Sequence, residues 1–331
     1  MRLGVVVPCA RQERWLPRTV AALECALANV EWQGALVLAA PAAGPLPPLS
    51  DRWRRIEPPG TREPLTPGAA RMLGFAACGG EWVLFVDADV EVDPAWVSGA
   101  LAIAADPARA GSALAGLWGR LEEWFEDGGR DRPGVPDLYR VGGAEREVDY
   151  LATLALYRRD ALIAAGGYDA RLHSEEDFEL GLRLRRAGYR LRSLGRLAGR
   201  HWSAPRPSFA ELARRWRTGL CFGQGEVLRL YFGRPGFGAL LRRQALYLAT
   251  LAMWALGVVA LGAALATDDA RPLALWAALP LATLALLLAR KRSPRLAALS
   301  LSTWTLNGIG MVLGLLGAGR RTQDTAGEAA C

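Results

Sequence analysis

"EWVLFVDADVEVDP", Glu81 to Pro94, begins as one kind of element and ends as another. Trp82, Val83, Leu84, Phe85 and Val86 form an unbroken apolar run of strand length, the pattern of a strand covered on both faces. Asp87, Asp89, Glu91 and Asp93 then fall at every second position. Asp93 followed by Pro94 reads as the N-cap and first residue of a helix. Glu91 reads as solvated or as support for its neighbours. Asp87 and Asp89, with small Ala88 between them, point the same way if the strand continues. Two such carboxylates repel unless a cation neutralises them. A hard divalent ion carried by a nucleotide diphosphate suits them, because it takes oxygen ligands and needs few protein carboxylates.

The flanking sequence says where those acids lie. "LGVVVP" (3–8) reads as a strand, "LPRTVAALECALANV" (16–30) as an amphipathic helix, "ALVLAA" (35–40) as a strand and "PGAARMLGFAAC" (67–78) as a helix opened by proline. "EWVLFV" is then the third strand, and "DPAWVSGALAIAA" (93–105) a further helix. This βαβαβ order predicts an α/β domain with a parallel sheet, helices on both faces, and ligands at the carboxyl ends of the strands.

A second acidic run lies downstream, in "GGYDARLHSEEDFELGLRLRRAGYRLR" (166–192). Ser174 and Asp177 have capping-box spacing ahead of a helix that ends at Gly188. Glu175, Glu176 and Asp177 either favour the positive end of that helix or supply a general base for an acceptor hydroxyl.

Composition removes several chemistries. Among 331 residues and a net charge of +7, Lys291 is the single lysine. That excludes a P-loop, a lysine Schiff base and the lysine of a haloacid-dehalogenase phosphatase. "DADVEV" matches the nucleophile loop of those phosphatases, but there it follows the first strand. The arginine excess suits phosphorylated substrates or an anionic membrane surface, or reflects codon usage alone. Cys9, Cys25, Cys78, Cys221 and Cys331 lack C-x-x-C spacing and predict neither disulfides nor zinc. The N-terminus enters a strand directly, without the pattern of a signal peptide.

The C-terminal third is different. Apolar stretches run over 244–266, 273–289 and 296–318, against the roughly 17–25 residues a span requires. The alternative is three buried core helices. The second stretch contains Pro280, and the third carries Ser300, Ser302, Thr303, Thr305 and Asn307. Arg234, Arg242 and Arg243 precede the first, "TDDAR" follows it, and "RKRSPR" follows the second. Basic loops remain cytoplasmic, which predicts a multi-pass inner-membrane protein with its soluble domain in the cytoplasm. Arg320 and Arg321 would then lie outside, unless the third stretch is re-entrant.

Together, "VVVPCARQERWLPRTVAAL", "PGAARMLGFAACGGEWVLFVDADVEVDP" and "GGYDARLHSEEDFELGLRLRRAGYRL" resemble the inverting family 2 glycosyltransferases of GT-A fold, over about the first 220 residues. The resemblance implies a GT-A domain over 1–235, with an interfacial helix at about 208–232, then a membrane domain over 236–320 and a tail. It implies a nucleotide-sugar donor met by Pro8, Glu13, Arg71, Asp87 and Asp89. It implies Mg²⁺ or Mn²⁺ bound by Asp89 and Asp87 with His201, and Asp177 as the base with Glu176 as second choice. "ELARRWRTG" is similar to the R-W segment of processive members, which would set Trp216 and Arg215 at the acceptor. Its full motif is broken by Ala213, and the residues themselves favour an amphipathic interfacial helix capped by Ser208 and Glu211.

Two departures stand out. Only Glu13 remains of the acidic run after the first strand, and "LAAPAAGPL" offers no acid to a nucleotide base. The expected activity is transfer of a sugar to a lipid-linked or membrane lipid acceptor, in exopolysaccharide or glycolipid synthesis. Nucleic acid is not an expected partner. The alternatives are a membrane-bound nucleotidyltransferase, against which "PCARQER" lacks a glycine-rich loop, and a non-catalytic membrane scaffold.

Overall fold

The computed structural model describes residues 1–10, 14–40, 45–57, 64–127, 129–203 and 208–317. Contacts divide the chain into two units between Ser203 and Ser208, earlier than the expected boundary near residue 235. The segment read as an interfacial helix therefore falls in the second unit.

The first unit opens with β1 (Leu3–Cys9), α1 (Leu16–Ala26), β2 (Trp32–Leu38), β3 (Trp53–Ile56), α2 (Pro67–Ala77) and β4 (Trp82–Val86). It continues with β5 (Val90–Val92), α3 (Pro94–Ala104), α4 (Pro107–Ala110), β6 (Leu114–Asp127), β7 (Arg130–Pro133) and β8 (Arg146–Glu147). β9 (Leu154–Arg158), α5 (Arg159–Ala164), α6 (Glu176–Arg186) and β10 (Arg190–Ser203) complete it. The strands form one sheet in the order β3-β2-β1-β4-β9-β6-β10-β5, with β7 on β6 and β8 on β10.

The expected parallel sheet is present over β3, β2, β1 and β4. Beyond β4 the sheet becomes mixed, because β9 runs antiparallel to both β4 and β6. The acid-bearing strand is the fourth in sequence, not the third. The strand missed is β3, "WRRI", whose short charged pattern is that of an edge strand and carries little apolar periodicity.

β4 is apolar throughout because both of its faces are covered. Leu84 and Val86 join Leu3, Val5, Leu16, Val20 and Leu23 on one side. Val83 and Phe85 join Val6, Phe75, Tyr157, Tyr168, Leu180 and Leu184 on the other. Alternation along the strand thus serves two cores. α2 lies so close to β1 that a Cβ on Gly74 would stand 2.3 Å from Val6 Cγ1. α3 begins as expected, with Asp93 Oδ1 accepting from Ala95 N–H at 2.9 Å and Trp96 N–H at 3.0 Å.

The second unit contains α7 (Phe209–Arg217), α8 (Gly223–Leu230), α9 (Phe237–Arg243), α10 (Ala245–Thr267), α11 (Arg271–Lys291) and α12 (Pro294–Leu316). Ser208 caps α7, its Oγ accepting from Glu211 N–H at 3.1 Å. α10, α11 and α12 are each long and apolar enough to cross a membrane. Their outward side chains remain bare in the protein alone, as at Val258, Leu265 and Leu275. α12 is one continuous helix, and its hydroxyls are absorbed locally: Ser300 and Thr303 donate to the carbonyls of Leu296 and Leu299, one turn back. Thr305 Oγ1 accepts from Trp254 Nε1–H at 2.9 Å, tying α12 to α10. α12 meets α8 backbone to backbone through Gly310, Gly314 and Gly225, and a Cβ on Gly225 would fall 1.8 Å from Met311 O. Small residues in such register permit the close helix approach common inside membranes.

Candidate active site

The end of β4 separates the two acids that follow it. Asp87 N–H donates to Thr153 O at 2.9 Å, and Val90 N–H donates to Asp87 O at 3.0 Å. The second bond closes a β-turn, after which β5 pairs antiparallel with β10 and Val90 stands opposite His201. The strand does not continue through the acids, so the expectation that Asp87 and Asp89 point the same way is corrected. Asp87 meets Arg71, and Asp89 meets His201.

Arg71 projects from α2, a helix opened by Thr66, whose Oγ1 accepts from Ala69 N–H at 3.2 Å. Its guanidinium is buried and serves three carboxylates at once. Nη2–H donates to Asp87 Oδ1 at 3.0 Å, and Nη1–H donates to Glu176 Oε1 at 2.5 Å. Asp177 Oδ1 lies 3.7 Å from Nη1, beyond hydrogen-bond length. The Tyr168 ring covers the guanidinium, 5.1 Å from ring centroid to Cζ.

Glu176 and Asp177 are the first two residues of α6. The helix does not take Ser174 as its N-cap, as the spacing predicted: the N-cap is Glu175, with φ of 70°. A left-handed conformation at a glutamate is strained, and it turns the chain so that α6 begins against Arg71.

Three carboxylates around one cation leave the cluster with excess negative charge. Burial opposes the charge on Arg71, but Asp177, Asp87 and Glu176 outweigh it and hold the guanidinium firmly protonated. Burial also pushes Asp177 well above the usual carboxylate range. Arg71 pulls it down, and Glu176 and Asp87 push it further up. Asp177 Oδ1 is buried and accepts no hydrogen bond among the described residues. Glu176 is locked on Arg71. Of the two expected candidates, Asp177 therefore has the oxygen available to take a proton.

Asp89 Oδ1 stands 3.6 Å from His201 Nε2, and His201 Nδ1 lies 3.2 Å from Ser203 Oγ. Trp202 N–H donates to Asp89 O at 2.8 Å, which fixes this turn onto β10. Among the described residues, no group of three His, Cys, Asp or Glu side chains is arranged to hold a metal ion. The expected set of Asp87, Asp89 and His201 is therefore not assembled, because Asp87 is engaged by Arg71. The pair of Asp89 and His201 does fit an ion that draws its remaining ligands from phosphate and water.

The remaining expected residues lie on other elements or outside the described residues. Pro8 sits half-buried near the carboxyl end of β1, opposite Val37. Glu13 lies outside the described residues. Trp216 and Arg215 belong to α7 in the second unit, where the Trp216 ring meets Phe222 edge-on at 5.4 Å.

Tyr139, Thr153 and Tyr168 went unread in the sequence. Tyr139 and Thr153 share a short hydroxyl–hydroxyl hydrogen bond beside Asp87. Their neighbours carry no spacing pattern that would mark them, whereas Tyr168 follows the paired glycines Gly166 and Gly167.

Residues 60–165, which carry Arg71, Asp87 and Asp89, match Glycosyl transferase family 2. The matched segment lies within the mixed α/β unit, and three membrane-length helices follow later in the sequence. Among characterised proteins the chain is similar to pre-mycofactocin glycosyltransferase of Mycobacterium tuberculosis, at 32% identity over 138 residues. That match covers 38% of this chain and only 28% of the relative's length. Similar solved structures include S. aureus TarS 1–349, with 17% identity, a TM-score of 0.46 and coverage of 70% of this chain and 64% of that one. TarS 1–349 in complex with UDP-GlcNAc matches at 16% identity and a TM-score of 0.46, covering 96% of this chain and 92% of that one.

Proposed function

We propose that this chain is a membrane-bound, inverting glycosyltransferase. It moves a sugar from a nucleotide-sugar donor to a hydroxyl of a lipid-linked or membrane lipid acceptor, in exopolysaccharide or glycolipid synthesis. The observation that carries the reading is the convergence of Asp87, Glu176 and Asp177 on buried Arg71, at the carboxyl end of β4, with Arg71 and Asp87 inside the family-matched segment. A donor diphosphate arriving at this edge meets Asp89 and His201. A divalent cation, Mg²⁺ or Mn²⁺, held by those two side chains would supply charge neutralisation of the leaving diphosphate. Asp177, raised well above the usual carboxylate range and with an oxygen free of hydrogen bonds among the described residues, accepts the proton of the acceptor hydroxyl. Arg71 holds Asp87 on the donor side and Glu176 beside the base, so one cation orients both halves of the reaction. Attack on the face opposite the leaving group inverts the anomeric carbon.

Membrane attachment through α10, α11 and α12 supports an acceptor delivered by the lipid phase. Arg242 and Arg243 before α10, Asp268 and Asp269 after it, and the basic run from Arg290 to Arg295 support a cytoplasmic catalytic unit on the inner membrane.

Detergent-purified full-length protein tests the reading against UDP-, GDP- and dTDP-sugars, with and without Mn²⁺. The expected result is metal-dependent release of one nucleoside diphosphate, cut by at least about 10–100-fold in Asp89→Ala. Absence of metal-dependent binding to any donor would overturn it and leave a non-catalytic scaffold.

A further inference from the structure

We infer that Tyr139 and Thr153 are positioning residues that hold Asp87 in place for the donor, an inference that rests on the glycosyl-transfer reading above. Thr153 lies between Ala152 and the start of β9, directly across from the end of β4. Its φ is +59°, rare for a β-branched residue. Leu154 N–H donates to Ala152 O at 2.5 Å, so Thr153 is the centre of a γ-turn of the positive-φ kind, the strained form. A glycine would occupy this position without strain.

The strain has three local consequences. The turn aims Thr153 O at Asp87 N–H, 2.9 Å away, which fixes the backbone where β4 leaves the sheet. It presents the Thr153 hydroxyl to Tyr139, with which it makes a short hydrogen bond. It also ties this hydroxyl pair, through the Thr153 backbone, to the residue whose carboxylate Arg71 holds. Asp87 is thereby fixed from two directions, by a guanidinium on its carboxylate and by a strained carbonyl on its backbone. Tyr139 is itself anchored, its ring 5.4 Å from that of Trp118. Burial drives the Tyr139 hydroxyl upward, the bond to Thr153 lowers it, and the charges of Asp87, Asp177 and Asp89 raise it further, so the hydroxyl keeps its proton. Strained residues persist where surrounding structure over-determines them, and these bonds converge on Asp87, one of the two acids that Arg71 hydrogen-bonds.

Full-length protein in detergent, as wild type, Tyr139→Phe, Thr153→Ala, Thr153→Ser and Thr153→Gly, tests this through donor KM, kcat and Tm. Tyr139→Phe and Thr153→Ala are each expected to raise donor KM about tenfold and hold kcat within about twofold. The double variant should be no worse than either single one, because both remove the same bond. Thr153→Ser should restore KM. Thr153→Gly should keep the high KM without a loss of Tm, which separates the hydroxyl from the strain. A lowered Tm with unchanged donor KM in Tyr139→Phe would overturn the inference and leave a packing role. Additive losses in the double variant would overturn it as well. If Thr153→Ala does not fold, Tyr139→Phe and Thr153→Ser carry the same decision. A wild type that turns over no donor sinks the glycosyl-transfer reading and this inference together, whereas an active wild type matched by Tyr139→Phe sinks this inference alone.

Discussion

The rim of β4 and the helix pair α10–α12 both bury polar groups, and they treat them in opposite ways. In the helices, Thr250, Ser300 and Thr303 donate to carbonyls one turn back, and Thr305 accepts from Trp254. Each is a neutral hydroxyl satisfied close to home, as an apolar surrounding requires. At the rim, three carboxylates share one guanidinium, and the Asp177 oxygen nearest that guanidinium accepts no hydrogen bond among the described residues. Balanced polar groups hold a structure together. An unbalanced, buried, titratable cluster costs stability and is kept for what it does.

Arg71→Met breaks the comparison hardest. It leaves Asp87, Glu176 and Asp177 together without their cation, and loss of one partner of a buried ion pair costs about 3–5 kcal/mol. The expected outcome is a steep fall in Tm and abolished turnover, read by thermal unfolding in detergent and by nucleotide release.

Asp177→Asn separates stability from chemistry. Removing the proposed base should lower kcat by about 10²–10⁴-fold. The native state binds the Asp177 proton more tightly than the unfolded chain does, because burial has raised the folded pKa. Its contribution to stability is therefore full below the unfolded value and lost as pH rises through the folded one. At neutral pH the amide should thus stabilise the protein, by about 0.5–2 kcal/mol. The same sign puts the acid limb of the wild-type pH–rate profile above the ordinary aspartate value of about 3.9, with activity falling as Asp177 becomes protonated. A pH profile from 4 to 9 and a pair of melting curves check both halves.

Thr305→Val is the small counterpart in the helices. It leaves Trp254 Nε1–H without its partner, and interhelical hydrogen bonds in membranes average about 0.6 kcal/mol. A slight drop in Tm with unchanged kcat and KM is expected. A loss of activity comparable to that of Asp177→Asn would erase the contrast between the two regions.

Much of both units was legible because its signals are local. The all-apolar β4, the Asp93–Pro94 helix start and the three membrane-length stretches follow from runs and spacings that a chain carries by itself. β3 was not legible, since its four residues include two arginines and only Trp53 is buried. The start of α6 falls one residue after Ser174 because Glu175 takes a left-handed conformation, after which Glu176 reaches Arg71. Tyr139 and Thr153 were invisible because their meeting depends on β9 lying antiparallel beside β4.

The sequence by itself determined the alternation of strands and helices, the position of the acids at a strand end, and the apolar C-terminal helices. Each rests on periodicity and hydropathy, which act between near neighbours. Tertiary structure alone decided which partner each acid keeps. Asp87 and Asp89 stand two residues apart, yet one turn sends the first to Arg71 on α2 and the second to His201 on β10. Charge pairing across such distances in sequence depends on the sheet order, and no spacing along the chain encodes it.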